Sequence, residues 1–368
     1  MSDASETAFV RYHDGIEQPS PGEREAIEGI VESMRSETDK VAAARRGLAV
    51  RASHAKPSGI LKGTLSVHEG LPPALRQGLF AQPATYPALV RLSQGPGEHL
   101  SDKISTHRGL SLKLFGVEGD KIDGHAQNTQ DFVLATGAVF PDPDAAAFLR
   151  SMRRIEAHAG GSETLKEVVS TAARALNATV RAVTGSDVPR LDFFGHPPLH
   201  PMAESYHSQV PCRYGDYVAK VGLFPVTPMQ LGLAGEKLDT NFDNDVFRHA
   251  TVGYFRRNEA VFEFRVQLCT DTESMPIENA SVEWPERLSP YIAVATLTLP
   301  PQDAFSAERV AYVEQRVGFR PAHALVAHRP LGSLMRARLR AYAALAAYRQ
   351  AYNRAIPIEP ASLDEVPD

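Results

Sequence analysis

Arg338, Tyr342 and Arg349 are four and then seven residues apart, so on a helix of 3.6 residues per turn their side chains share one face. A tyrosine between two arginines is a poor core residue but a good candidate anion. A neighbouring guanidinium favours ionisation of a phenol whose ordinary pKa is about 10, and a phenolate can ligate ferric haem iron. The same spacing also describes an arginine-rich, solvated helix face that carries an incidental tyrosine. Tyr348 and Tyr352 compete on the same segment, but neither has an arginine four residues before it. A second group, Arg51-Ala52-Ser53-His54-Ala55-Lys56, precedes Gly59 and Gly63, whose missing side chains let the backbone approach a flat ligand closely. An imidazole beside such a ligand is suited to acid–base work near neutral pH.

The wider sequence excludes several other chemistries. It contains no GxxxxGK[ST] loop, no GxGxxG after a strand, no HExxH and no GxSxG, so phosphate-cradling, zinc-protease and hydrolase readings have no motif support. Lys and Arg total 39 against 44 Asp and Glu, a net charge of −5 without blocks of like charge, which gives nucleic acid or an anionic membrane no purchase. Cys212 and Cys269 are too few for a disulfide scaffold or a thiolate metal site. The first residues lack the apolar core of a signal peptide, and no run is long enough for a spanning helix, so a cytoplasmic setting without stable membrane insertion is expected. The thirteen histidines are scattered singly and form no metal constellation.

With 43% hydrophobic and 23% charged residues the chain can build a substantial core. Ser20 as N-cap, Pro21 in the first turn, Glu23 as capping-box acid and the stripe Ile27, Ile30, Val31 and Met34 predict a helix over 20–46 that Gly47 stops. Short β-like runs follow at Ile60 to Val67, Ala88 to Ser93, Leu110 to Phe115 and Asp131 to Ala135. Residues 143–185 read as a helical hairpin broken at Gly160 and Gly161. Val261 to Leu268 alternates apolar and polar residues, Tyr291 to Leu299 is again β-rich, and a last helix covers about Leu334 to Asn353. The acidic, proline-punctuated tail is expected to be loosely held. Strands, helices and strands again, without regular βαβ alternation, predict an α+β fold around an antiparallel β-barrel, whose closure removes exposed edges.

At these same residues the chain resembles the catalase family, and within it the short catalase-related branch. RASHAKPSGILKG is similar to the distal-histidine strand, VRLS to the segment after it, HRGLSLKLFGVEG to the RGFAVKFY strand and QNTQDFVLA to the NNTPxFF strand. HRPLGSLMRARLRAYAALAAYR is similar to the proximal tyrosine helix, so the motifs run in family order from about 51 to 349.

The resemblance implies haem b with ferric iron on Tyr342, Arg338 holding that tyrosine as phenolate, and Arg51, Arg91 and Arg349 binding the propionates. His54 would be the distal histidine, Gln127 or Asn128 the distal amide, and Phe132 a wall of the pocket or ordinary core. The implied activity is decomposition of hydrogen peroxide or an organic peroxide through a ferryl haem. Ser53 departs from the apolar residue typical before the distal histidine; its hydroxyl would hydrogen-bond the imidazole, as in the coral-type allene oxide synthases that convert lipid hydroperoxides. A non-catalytic haem-binding barrel is the third reading. The implied organisation is one domain over 1–353, with an arm (1–19), a helix (20–46), barrel halves (47–140 and 210–300), a helical hairpin (143–185) and the proximal helix (334–353). A tail (354–368) follows, without the extra C-terminal helices or flavodoxin-like domain of longer catalases. A homo-oligomer, dimer or tetramer, is expected.

Overall fold

The structure, a computed structural model, describes residues 9–45, 47–122, 125, 127–158, 163–185, 187–356 and 358–368. The alternating runs form antiparallel neighbours in sequence order: β1 (Pro57–Val67), β2 (Thr85–Gln94), β3 (Arg108–Phe115) and β4 (Thr129–Ala135). Next come β5 (Tyr206–His207), the short β6 (Cys212–Tyr214), β7 (Tyr217–Pro225), β8 (Ala260–Leu268) and β9 (Ile292–Leu299). β4 pairs with β5, β5 with β7, and β9 returns to β1, so eight strands close a ring while β6 pairs only with β7. Closure leaves this antiparallel barrel without a free edge, as an α+β protein with so many strands requires.

The two faces of each strand have different tasks. Leu110, Leu112 and Leu114 of β3 point inward with Val90, Leu92, Phe262, Phe264 and Val266 to make the barrel core. Phe132 belongs to that interior, edge-on to Phe264 at 4.9 Å, and does not wall the cavity described below. The outward face of β3, with Gly109 and Ser111, is left for the cavity.

Among the described residues eight helices surround the barrel: α1 (Glu23–Arg45), α2 (Ala145–His158), α3 (Glu163–Thr184), α4 (Pro189–Gly195), α5 (Pro228–Gly232), α6 (Val246–Phe255), α7 (Ala307–Arg316) and α8 (Ser333–Asn353). The expected Gly160–Gly161 break lies outside the described residues. Ala26 and Ile30 of α1, Ala145 and Leu149 of α2 and Ala337 of α8 form one apolar cluster. Glu23 accepts the Ser20 backbone N–H, the acid's half of the expected capping box. Its carboxylate takes Arg336 at 2.6 and 2.9 Å, and Arg336 also reaches Glu17 at 2.5 Å and Glu278 at 2.7 Å. Three carboxylates thus fix the first turn of α8, and with it the register of every later residue on that helix.

The tail is docked rather than loose. Val366 is buried beside Val313 and Phe319, Glu359 accepts Gly318 N–H at 3.0 Å, and the Asp368 carboxylate lies 2.6 Å from Lys62 Nζ. No helix among the described residues is long and apolar enough to cross a membrane.

Candidate active site

A cavity opens between the outer face of β2, β3 and β4 on one side and α1 and α8 on the other. Tyr342, Arg338 and Arg349 face it from α8, as their spacing predicts; Arg51, Ser53 and His54 come from the loop before β1, and Arg91 from β2. The rival tyrosines turn elsewhere. Tyr348 hydrogen-bonds Asp39 of α1 and lies under the Arg35 guanidinium, 4.6 Å from its ring, while Tyr352 is 46% exposed.

The loop carrying His54 precedes the strand rather than lying in it, and it is pinned at both ends. Arg51 donates to the carbonyls of Val313 and Val317, each at 3.1 Å, and Lys56 reaches Asp102 at 2.5 Å and Asp245 at 3.1 Å. Between them His54 adopts φ +53°, an uncommon conformation for a residue with a side chain. It is held there by His54 N–H to Gly95 O (2.9 Å), Ala55 N–H to Pro96 O (3.0 Å) and Arg91 Nη2 to His54 O (2.8 Å). Gly109 makes room for the ring, since a Cβ there would stand 2.6 Å from His54 Nδ1. Burial, then His107 and Arg91, push the His54 imidazole well below its usual pKa, so it is neutral at pH 7.

The positive groups are concentrated at one end. Arg91 grips Glu314 with two bonds, at 2.6 and 3.0 Å, and Arg51 reaches the same carboxylate at 3.3 Å. Burial opposes ionisation of Glu314, but Arg91 and Arg51 outweigh it and hold the carboxyl at about 2. Arg349, also buried, makes no hydrogen bond to any described residue; burial and then Arg51 push it down to about 9. One carboxylate among Arg51, Arg91 and Arg349 leaves two positive charges uncompensated, and Arg320 on the same wall adds to the surplus. Breaking the buried pair from the acid side should be costly. Glu314→Gln is expected to lower unfolding free energy by ~3–5 kcal/mol in denaturant titrations at pH 7. Because its folded value lies below the ordinary 4.5, that contribution should be complete above pH 4.5 and disappear as pH falls toward 2.

Arg338 hydrogen-bonds Gln209 Oε1 at 3.2 Å and lies 5.6 Å from the Phe140 ring. Burial lowers its pKa and Tyr342 raises it, so its tie to the tyrosine is electrostatic, with no hydrogen bond between them in this structure. Two expectations need correcting. Neither Gln127 nor Asn128 lines the cavity: β4 offers Val133, Leu134 and Ala135 instead, several residues later, so the register read from NTQ is shifted. Ser53 lines the cavity but does not bond the imidazole, since His54 Nδ1 is buried without a partner. The amide on the wall is Gln209, at φ +63°, which serves Arg338. Sequence reasoning also missed Glu314 and His107. Glu314 had no local signal, whereas His107 stands directly before the recognised RG of β3.

No protein-family model matches the chain, and no curated protein does. Solved structures do. A fungal catalase at 17% identity aligns with 95% of this chain and 66% of its own, with a TM-score of 0.59. Catalase A from Saccharomyces cerevisiae (16%, 93% and 68%, 0.58) and a bacterial catalase (16%, 95% and 66%, 0.57) align similarly. The chain has the catalase fold. It spans about two thirds of the length of those catalases.

Within this catalase fold the residues present suit a haem. Surplus desolvated guanidiniums suit an anionic ligand. Val133, Phe140 and Leu345 supply apolar walls, and a phenol and a neutral imidazole reach the cavity from different elements.

Several histidines of this catalase fold are buried neutral. Burial pushes His107 and His207 to about 4 and His328 to about 3, against an ordinary 6.5. The unfolded chain therefore binds protons that the folded chain refuses as pH falls below 6.5, and stability must drop with pH in that window. Each such group contributes roughly 3 kcal/mol of loss by pH 4. Melting temperatures should fall steeply between pH 6.5 and 4; a flat profile would show that these imidazoles are not held neutral.

Proposed function

We propose that this chain is a haem-dependent hydroperoxidase acting on hydrogen peroxide or an organic hydroperoxide, with Tyr342 as the axial ligand of ferric haem b and His54 as the acid–base group. The observation that carries the reading is one cavity shared by Tyr342, flanked by Arg338, and a neutral, buried His54. Bound haem would supply the two electrons for reducing the O–O bond, one from its iron and one from its porphyrin ring.

The chain's own residues would do the rest. Arg51, Arg91 and Arg349 hold the propionates, two of them already oriented by Glu314. Arg338 places a positive charge beside Tyr342 without a hydrogen bond to it. His54 takes the hydroperoxide proton on its ring and returns it to the outer oxygen, which then leaves as water or an alcohol. A base that is neutral at pH 7 can accept that proton; an imidazolium could not. The cavity draws on residues from Ile30 to Arg349, so we treat 1–353 as one functional unit with 354–368 as its tail.

The isomerase alternative rested on a Ser53–His54 hydrogen bond that is not formed, and we do not favour it. The test is the absorbance spectrum of haem-loaded protein before and after peroxide, together with oxygen release. A phenolate-ligated ferric spectrum that changes with peroxide is expected. Haem uptake without a phenolate band, or a spectrum inert to peroxide, would overturn the reading.

A further inference from the structure

We propose that His107 is the positioning residue of His54, fixing the imidazole plane by an edge-to-face contact where a hydrogen-bond partner of Nδ1 would otherwise do so. This rests on the reading of His54 as the acid–base group. An imidazole that moves protons is normally oriented by a bond to its second nitrogen, yet His54 Nδ1 is buried without a partner in hydrogen-bond geometry; the Gln94 backbone is the weakest of the influences on the ring, and Ser53 does not reach it. Packing must therefore hold the ring. The backbone of Gly109 is too close to the ring for a Cβ, and the His107 ring stands edge-on to it, 5.3 Å between centroids with planes at 89°.

His107 is itself immobilised. Its ring stacks on Phe193 of α4 at 3.9 Å and 17°, and both its backbone N–H and its Nδ1 lie 3.2 Å from Phe193 O. A carbonyl only accepts, so Nδ1 carries the hydrogen and the neutral tautomer is set. Gly95 joins the two histidines: its carbonyl accepts His54 N–H at 2.9 Å and its N–H donates to His107 O at 3.0 Å. A Cβ on Gly95 would stand 2.3 Å from His107 Cε1, so the arrangement excludes a side chain there. The charged and titratable neighbours are Arg91 of β2 and Arg338 of α8 around His54, and Asp192 of α4, His196 just after it and Arg338 around His107.

Two variants test this. In haem-free protein with ¹³Cε1-labelled histidine, the His54 resonance, assigned by its loss in His54→Ala, should titrate far below pH 6.5. In His107→Ala water reaches the ring, and the titration should move back toward ~6.5. After haem loading, His107→Ala should take up haem normally but react with peroxide about 10- to 100-fold more slowly, the effect of a misplaced catalytic group. His107→Phe keeps an aromatic edge and should restore both the low titration and the rate. An unchanged titration and rate in His107→Ala would overturn the proposal, as would equal losses in His107→Phe. If His107→Ala does not fold, His107→Leu, which fills the space without an aromatic edge, takes its place under the same criteria. Failure of the hydroperoxidase reading would appear separately, as wild-type protein that does not react with peroxide, while the haem-free titration still reports on the contact.

Discussion

Replacing Tyr342 by phenylalanine is expected to abolish the phenolate-to-iron charge-transfer band and to weaken haem binding by more than ~100-fold. Residues that merely orient a metal ligand cost about 10- to 100-fold when removed, and loss of the ligand itself must exceed that. The fold should survive, because the side chain is only half-buried and removal of one hydroxyl costs about 1 kcal/mol. The discriminating measurement is a haem titration followed by absorbance, beside a thermal melt of the haem-free protein. Tyr348→Phe is the control, since Tyr348 points to Asp39 and Arg35 on α1. If the Tyr342→Phe spectrum matched wild type, the proximal assignment would be lost.

Removing the imidazole in His54→Ala should leave haem binding intact and slow the peroxide reaction by about 10² to 10⁴-fold, the usual contribution of a positioned acid–base group. Two features of the site set the sign of its pH dependence. His54 is held neutral by burial and by His107 and Arg91, so the wild-type rate should remain flat as pH falls from 8 to 6.5 and decline only further into acid. Stopped-flow traces across that range are the check. A rate that collapsed already at pH 6.5 would mean that His54 carries its ordinary pKa and is not enclosed as the structure describes.

The helical part of the site was legible because helix periodicity is local. Arg338, Tyr342 and Arg349 had to share a face once that segment was a helix, and the carboxylates gripping Arg336 only chose where the face points. The strand part was legible as a pattern but not in register. The NTQ run drew the expected distal amide to Gln127 and Asn128, yet the part of β4 beside the cavity begins at Val133, which the pairing with β3 sets opposite Ser111. β5 is two residues long, and β7 is buried on nearly all positions, so neither shows the alternation by which strands are recognised. Glu314 sits on a helix more than two hundred residues from Arg91, and nothing in its neighbourhood announces the contact.

By itself the sequence determined that this is an α+β chain with an antiparallel barrel, a helix presenting Tyr342 between two arginines, and a histidine three residues after Arg51. Those properties follow from residue type and from periods of two and 3.6, which need no knowledge of distant partners. The tertiary structure alone decided which of three tyrosines faces the cavity, that Ser53 leaves His54 Nδ1 unpartnered, that His107 stands against it, and that Glu314 joins Arg51 and Arg91. Each of these is a contact between segments far apart in the chain, or a choice of face set by neighbouring elements. Barrel closure and helix packing create such relations only when the whole core forms.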